Sequence, residues 1–323
     1  MLERLAAAVA LLAVLASPAA RAADKVRLGN LKFAHYGAVS YMAGHCGQYG
    51  LDVEETVFPK GIDIFPAIVR GEVDLAASAA DAAIANRAGG GQIYVVAGFA
   101  RGGARLVGRA DLDLRSVKDL QGRKVGVARG GAQEILLLAE LAKAGLTWAD
   151  APGKDVQLVY LPYADLNQAL LQKQVDAISQ SEPQSSQAIN KGFGKEILKP
   201  YDTPLGEPVR VLVMSEKMVR DRPEVALRVM KCFVDSTRLF LRDPKLAEQY
   251  VVQQMFKGQI TAGDYQDAMS NAAFTYDVTA EHIQTTTDLM ARYGVGKLAN
   301  PPRAADWVKL DLIQKAKAEL GVK

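Results

Sequence analysis

Short apolar runs alternate with segments of helical periodicity through the first two thirds of this chain. The runs at 26–28, 53–58, 75–77, 93–99, 124–128 and 156–161 predict strands, since they are short and bounded by turn residues. Apolar positions three and four apart predict helices between them, at 64–70, 81–87, 133–144 and 166–173. Such alternation calls for parallel sheets covered by helices on both faces. After Ser215 the pattern becomes helical only, at 223–241, 244–256, 262–273, 280–293 and 304–320. Pro223, Pro244 and the Ala262-Gly263 step punctuate those helices as starts or breaks.

Two extended segments read as crossings between domains. Residues 104–108 precede a polar stretch at 111–119, after which the strand–helix pattern restarts, and 209–214 lead into the helical tail. A block entered once and left once is an inserted domain. The expected organisation is an α/β chain of two lobes, with lobe one at 23–109 and 209–323 and lobe two at 110–208. Two connections side by side form a hinge that permits closure around a ligand.

The beginning of the chain reads as an export signal, residues 1–22. Arg4 precedes an apolar core at 5–15, and Ala20-Arg21-Ala22 supplies the small-residue cleavage pattern. That core is shorter than the about 20 residues a membrane span needs. The expected product is a soluble periplasmic chain cleaved near Ala22, without a lipid anchor. The net charge is +3, and removing Glu3, Arg4 and Arg21 leaves +2. Charges of both signs are interspersed, unlike the basic stripe of a nucleic-acid binder. In an oxidising compartment Cys46 and Cys232 could pair. One bridge is optional in a chain this long, and two small buried residues are the plainer reading. Three histidines (His35, His45, His282) without ligand spacing point to no metal site, and no cofactor is expected.

Lys124-Val-Gly-Val-Ala-Arg-Gly-Gly-Ala-Gln-Glu134 reads as a strand, a glycine turn and a helix start. The first turn of a helix leaves N–H groups without intrahelical partners at the positive end of its dipole. Gly130 and Gly131 allow close approach to that backbone, so the turn can hold an anion.

Several segments in order resemble the solute-binding proteins of bacterial ABC importers. Within these they are most similar to the group for nitrate, taurine, alkanesulfonates and the pyrimidine precursor of thiamine. They are Gly50-Leu-Asp-Val-Glu54, Gly71-Glu-Val-Asp-Leu-Ala76, 116–127 with the glycine turn, Gly145-Leu146, 155–165, Val175-Asp-Ala177 and Glu182-Pro183. The resemblance covers about 25–215. It implies a type II periplasmic binding fold, a ligand held between the lobes, and delivery by a monomer to a membrane permease with its ATPase.

In open α/β sheets ligands sit beyond the carboxyl ends of the strands. The first candidate group is His35, Tyr36, Ser40 and Tyr41, whose rings could stack on a ligand body or pack a helix. The second is Ser78, Ala79 and Asp81, offering an anion contact or a helix cap. The third is Gly130, Gly131, Ala132 and Gln133, where Ala132 stands in place of the family's frequent hydroxyl residue. The fourth is Ser181 and Glu182, the latter suited to an amine, a ring nitrogen or hydroxyls. Arg101, Arg105 and Arg210 lie near the crossings, and Arg101 is the preferred carboxylate partner because it ends an apolar strand.

The leading expectation is an importer's binding protein for a small organic anion, a sulfonate or carboxylate, aromatic or amino-bearing. Alternatives are a pyrimidine or other nitrogen heterocycle, and a ligand sensor docking a membrane receptor. The chain lacks the cysteine-rich segment of enzymes that make the thiamine pyrimidine and shows no nucleophile–base–orienter set, so it is not expected to be an enzyme.

Overall fold

The computed structural model describes residues 22–322; the segment read above as an export signal, residues 1–22, lies outside them, apart from Ala22. Two six-stranded mixed sheets form the frame. The first contains β1 (Asp24–Asn30), β2 (Leu51–Val57), β3 (Leu75–Ala79), β4 (Ile93–Gly102), β11 (Val209–Ser215) and β12 (Ala272–Phe274). Their order is β12-β4-β11-β3-β1-β2. The second contains β5 (Ala104–Arg109), β6 (Arg123–Val127), β7 (Trp148–Ala149), β8 (Val156–Tyr160), β9 (Ala177–Ser181) and β10 (Gly194–Leu198). Their order is β10-β5-β9-β6-β8-β7. This is the type II periplasmic binding fold.

Both segments expected as crossings are core strands. β5 pairs with β9 on one side and β10 on the other, while β11 lies antiparallel between β3 and β4. Their backbone polar groups are therefore satisfied inside a sheet. The chain passes between sheets at Gly102-Gly103 and again through residues 199–208. Both glycines have positive φ, 74° and 78°, which L side chains rarely adopt. A Cβ on Gly103 would also stand 2.7 Å from the ring of His35.

The helical tail departs from expectation at two places. Ala272–Phe274 adds an edge strand to the first sheet, and the tail's last predicted helix divides into Ala304–Trp307 and Asp311–Glu319. Val308, between those two helices, bridges to Val95 of β4 and so returns the end of the chain to the first sheet. The long helix Pro223–Arg242 buries Val225, Ala226, Val229, Met230, Phe233, Val234 and Phe240 along one face. A Cys46–Cys232 disulfide ties this helix to the turn before β2, so the cysteines are a pair and not two separate buried residues.

Candidate functional site

β3 and β6 each end at the gap between the sheets, and each runs directly into a helix. The helix Ala80–Ala88 follows β3 after Ala79; the helix Ala132–Lys143 follows β6 after a turn in which Gly130 has φ 75°. Among the described residues no side chain caps either first turn, so N–H groups point from both lobes toward the space between them. That space is a cavity of about 40 Å³, room for about three waters or a small polar headgroup. Leu31, Phe33, Tyr36 and Tyr163 supply its apolar walls, and Lys60 and Arg129 stand among its lining residues.

Arg210 is the deep cation. It lies on β11 in register with Ala79 of β3, is 2 % exposed, and has no hydrogen-bond partner for Nη1 among the described residues. A buried guanidinium nitrogen left without an acceptor is costly, and a cavity beside it is where an anion would sit. Asp81 shares the cavity from the first turn of Ala80–Ala88, with Oδ1 also unpartnered. Burial pushes its carboxyl up to about 7, against the opposing pull of Arg210. Burial likewise holds the phenols of Tyr36 and Tyr163 well above their ordinary range, so both stay protonated.

On the lobe-two side the glycine turn is internally braced. The Gly130 N–H and the Tyr160 hydroxyl both donate to Glu134. The Tyr163 hydroxyl donates to Gln133 Oε1 at 2.6 Å, and a Cβ on Gly131 would lie 2.1 Å from that hydroxyl. Gly131 is thus small because Tyr163 lies against it. Arg129 is exposed, pairs with Asp150 and stacks 3.5 Å above the Tyr160 ring.

Tyr36, Ala79, Asp81, Gly130, Gly131, Gln133 and Ser181 line the cavity. The remaining candidates lie elsewhere. Ser40 donates to Glu55, Tyr41 packs against Phe240 and Tyr250, and Ser78 is buried beside Gly61. His35 is fully buried under Gly103, and burial, then Arg210, holds its imidazole well below the ordinary value. Ala132 lines a second cavity of about 10 Å³ behind the first, with Asp81 and His282.

Two of the charged candidates exchange places. Arg101 is exposed on β4, whereas Arg210 reaches the cleft. Glu182 is 0 % exposed and already occupied: Arg105 Nε lies 2.8 Å from it, and Ser186 and Asn271 donate to it. Residues not anticipated include Phe33, Lys60 and Tyr163. For Arg210 a signal was available, since it is a single charge inside the apolar run Val209-Arg-Val-Leu-Val-Met214.

The model of the NMT1-like family matches residues 20–274. A protein of Escherichia coli (strain K12) that carries the name of an aliphatic sulfonates-binding protein is 33% identical over 144 residues. That alignment spans 44% of this chain and 43% of the relative, less than half of each. The alkanesulfonate-binding protein SsuA of Xanthomonas axonopodis pv. citri, solved bound to MOPS, superposes with a TM-score of 0.74. It is 20% identical, and the match covers 88% of this chain and 98% of that one. The desulfurization enzyme DSZB shares the fold at a TM-score of 0.67 and 15% identity, over 92% of this chain and 99% of the enzyme.

Proposed function

The chain belongs to the NMT1-like family, and from that premise we propose that it is the periplasmic solute-binding component of an ABC importer, capturing a small organic anion, a sulfonate or carboxylate, between its two lobes. The observation that carries this reading is Arg210, buried at the cavity with an unpartnered guanidinium nitrogen and flanked by two uncapped helix N-termini from opposite lobes. A ligand that engages Ala79–Asp81 on one side and Gly131–Gln133 on the other stabilises the closed arrangement over the open one. Closure about Gly102-Gly103 and residues 199–208 then presents one surface to the permease. Micromolar affinity corresponds to about −8 kcal/mol, within reach of a charged pair, several N–H donors and an aromatic wall. The protein acts as an exported monomer and catalyses no reaction. This reading is supported by the relative named for aliphatic sulfonates and by the SsuA fold.

A nitrogen-heterocycle ligand is the second reading. Phe33, Tyr36 and Tyr163 offer ring faces, and Asp81 offers an acceptor for a ring N–H.

Calorimetric titration of refolded, ligand-free protein with alkanesulfonates, arylsulfonates, aromatic carboxylates and aminopyrimidines separates the two. Binding of sulfonates or carboxylates that falls tenfold or more in Arg210→Gln supports the anion reading. Binding of aminopyrimidines alone, indifferent to Arg210→Gln, replaces it with the second.

A further inference from the structure

Asp81 and Arg210 pose a charge-matching problem on one wall of the cleft. Each is 2 % exposed, both line the same cavity, and each retains a polar atom without a partner among the described residues, Oδ1 on Asp81 and Nη1 on Arg210. A simple anion seated on Arg210 would bring its charge next to Asp81. It would also leave that carboxyl without a donor, which costs free energy unless the carboxyl takes up a proton. A ligand carrying charges of both signs removes the conflict.

The groups around Asp81 sharpen the point. Arg210 acts on it from β11, and Glu134 from the helix Ala132–Lys143 adds negative potential. Tyr36 and Tyr163 are neutral phenols, and His282 faces the smaller cavity behind, its imidazole held low by burial. Lys60 and Arg129 line the cavity as well, but Arg129 is engaged with Asp150 and Tyr160. Arg210 is the one deeply buried cation facing Asp81 among the described residues.

We propose that the ligand is a zwitterion whose anionic group is held by Arg210 and the Gly131–Gln133 turn, and that Asp81 is the specificity-determining residue, accepting hydrogen bonds from its ammonium nitrogen. This inference rests on the organic-anion reading of the cleft and narrows it. It also gives the pH dependence a sign. An ionised Asp81 favours the ammonium, so affinity for a zwitterion rises between pH 6 and 8. A plain anion is bound best with Asp81 protonated, so its affinity falls over the same range.

The test is calorimetric titration of the refolded full chain, free of carried-over ligand, with matched pairs. Taurine is compared with ethanesulfonate, 3-aminopropanesulfonate with propanesulfonate, β-alanine with propionate and γ-aminobutyrate with butyrate, at pH 6 and 8. The expected result is that amino members bind at least tenfold tighter than their partners at pH 8, and that Asp81→Asn brings the ratio close to one. Equal or tighter binding of the plain members at pH 8 overturns the zwitterion assignment and leaves the organic-anion reading standing. That outcome is read on the unsubstituted chain, so it does not depend on the variant folding. Failure of every member to bind overturns the zwitterion assignment, and failure of the arylsulfonates and aromatic carboxylates as well overturns the organic-anion reading.

Discussion

Tyr163 and Gly131 show how one side chain dictates the residue opposite it. With the phenol lying 2.1 Å from where a Cβ would begin, Gly131→Ala requires the tyrosine to move and its hydrogen bond to Gln133 to break. Ligand affinity is expected to fall several-fold, with a stability loss of about 1 kcal/mol, checked by calorimetric titration beside urea unfolding. Asp81 shows the cost of holding a functional carboxyl out of water. Its folded value of about 7 lies above the ordinary aspartate value of 3.8, so the native state binds more protons than the unfolded one between those limits. Its contribution to stability therefore falls as pH rises through that window and stays low above it. The ligand-free Asp81→Asn protein is expected to be more stable than the parent at pH 8, by roughly 1–3 kcal/mol. Near pH 4 the difference should vanish. Chemical denaturation of both proteins across pH 4–8 measures this, and a constant difference would reject it. Comparing the pair also cancels His35, whose depressed imidazole value removes stability as pH falls below about 6.5.

At the scale of elements, the helix Pro223–Arg242 is held by packing and by a covalent tie. Its apolar stripe covers Phe233 and Phe240 within the core, and Cys232 bonds to Cys46 across 186 residues of sequence. Closing so long a loop in the unfolded chain removes much of its conformational freedom. The double variant Cys46→Ser, Cys232→Ser is expected to lose about 2–5 kcal/mol in urea unfolding. Ligand affinity at low temperature should hold, because neither cysteine lines the cleft. The helix Ala132–Lys143 was legible in the sequence because Ala, Leu, Glu and Lys favour helix and the glycines stop it at the turn. The strands β5 and β11 were legible as extended but not as central. Continuous apolar runs suit a buried strand and an exposed crossing alike until the partner strands are known.

For the whole molecule, the two lobes meet through more than the cavity. Arg105 of β5 donates to both carboxylate oxygens of Asp267, on the helix Ala262–Ser270, while also pairing with Glu182. Asn190 donates to Asp264 nearby, and Trp148 packs edge-on against Tyr293 elsewhere in the interface. Asp267→Ala leaves the buried Arg105 with fewer acceptors. It is expected to cost about 1–3 kcal/mol, below the usual figure for a buried pair because Asp267 is partly exposed. Loss of this inter-lobe contact should also enlarge the ligand-free particle. Denaturation and small-angle scattering read the two effects, and unchanged stability with unchanged radius would remove the clamp.

The sequence by itself determined the α/β alternation, the two-lobe plan, most element positions and the glycine turn. Those features depend on periodicity and local backbone preference, which neighbouring residues carry. Tertiary structure alone decided which charges face the cleft. Arg101 and Arg210 both end or begin apolar strands, yet one is exposed and the other buried, because Arg101 pairs with Val209 and Arg210 with Ala100, so the two side chains alternate across the pleat and meet different surroundings. Glu182 looked free until Arg105, Ser186 and Asn271, distant in sequence, were seen to satisfy it. Electrostatic roles depend on distance and desolvation across the fold, and neither is written in local order.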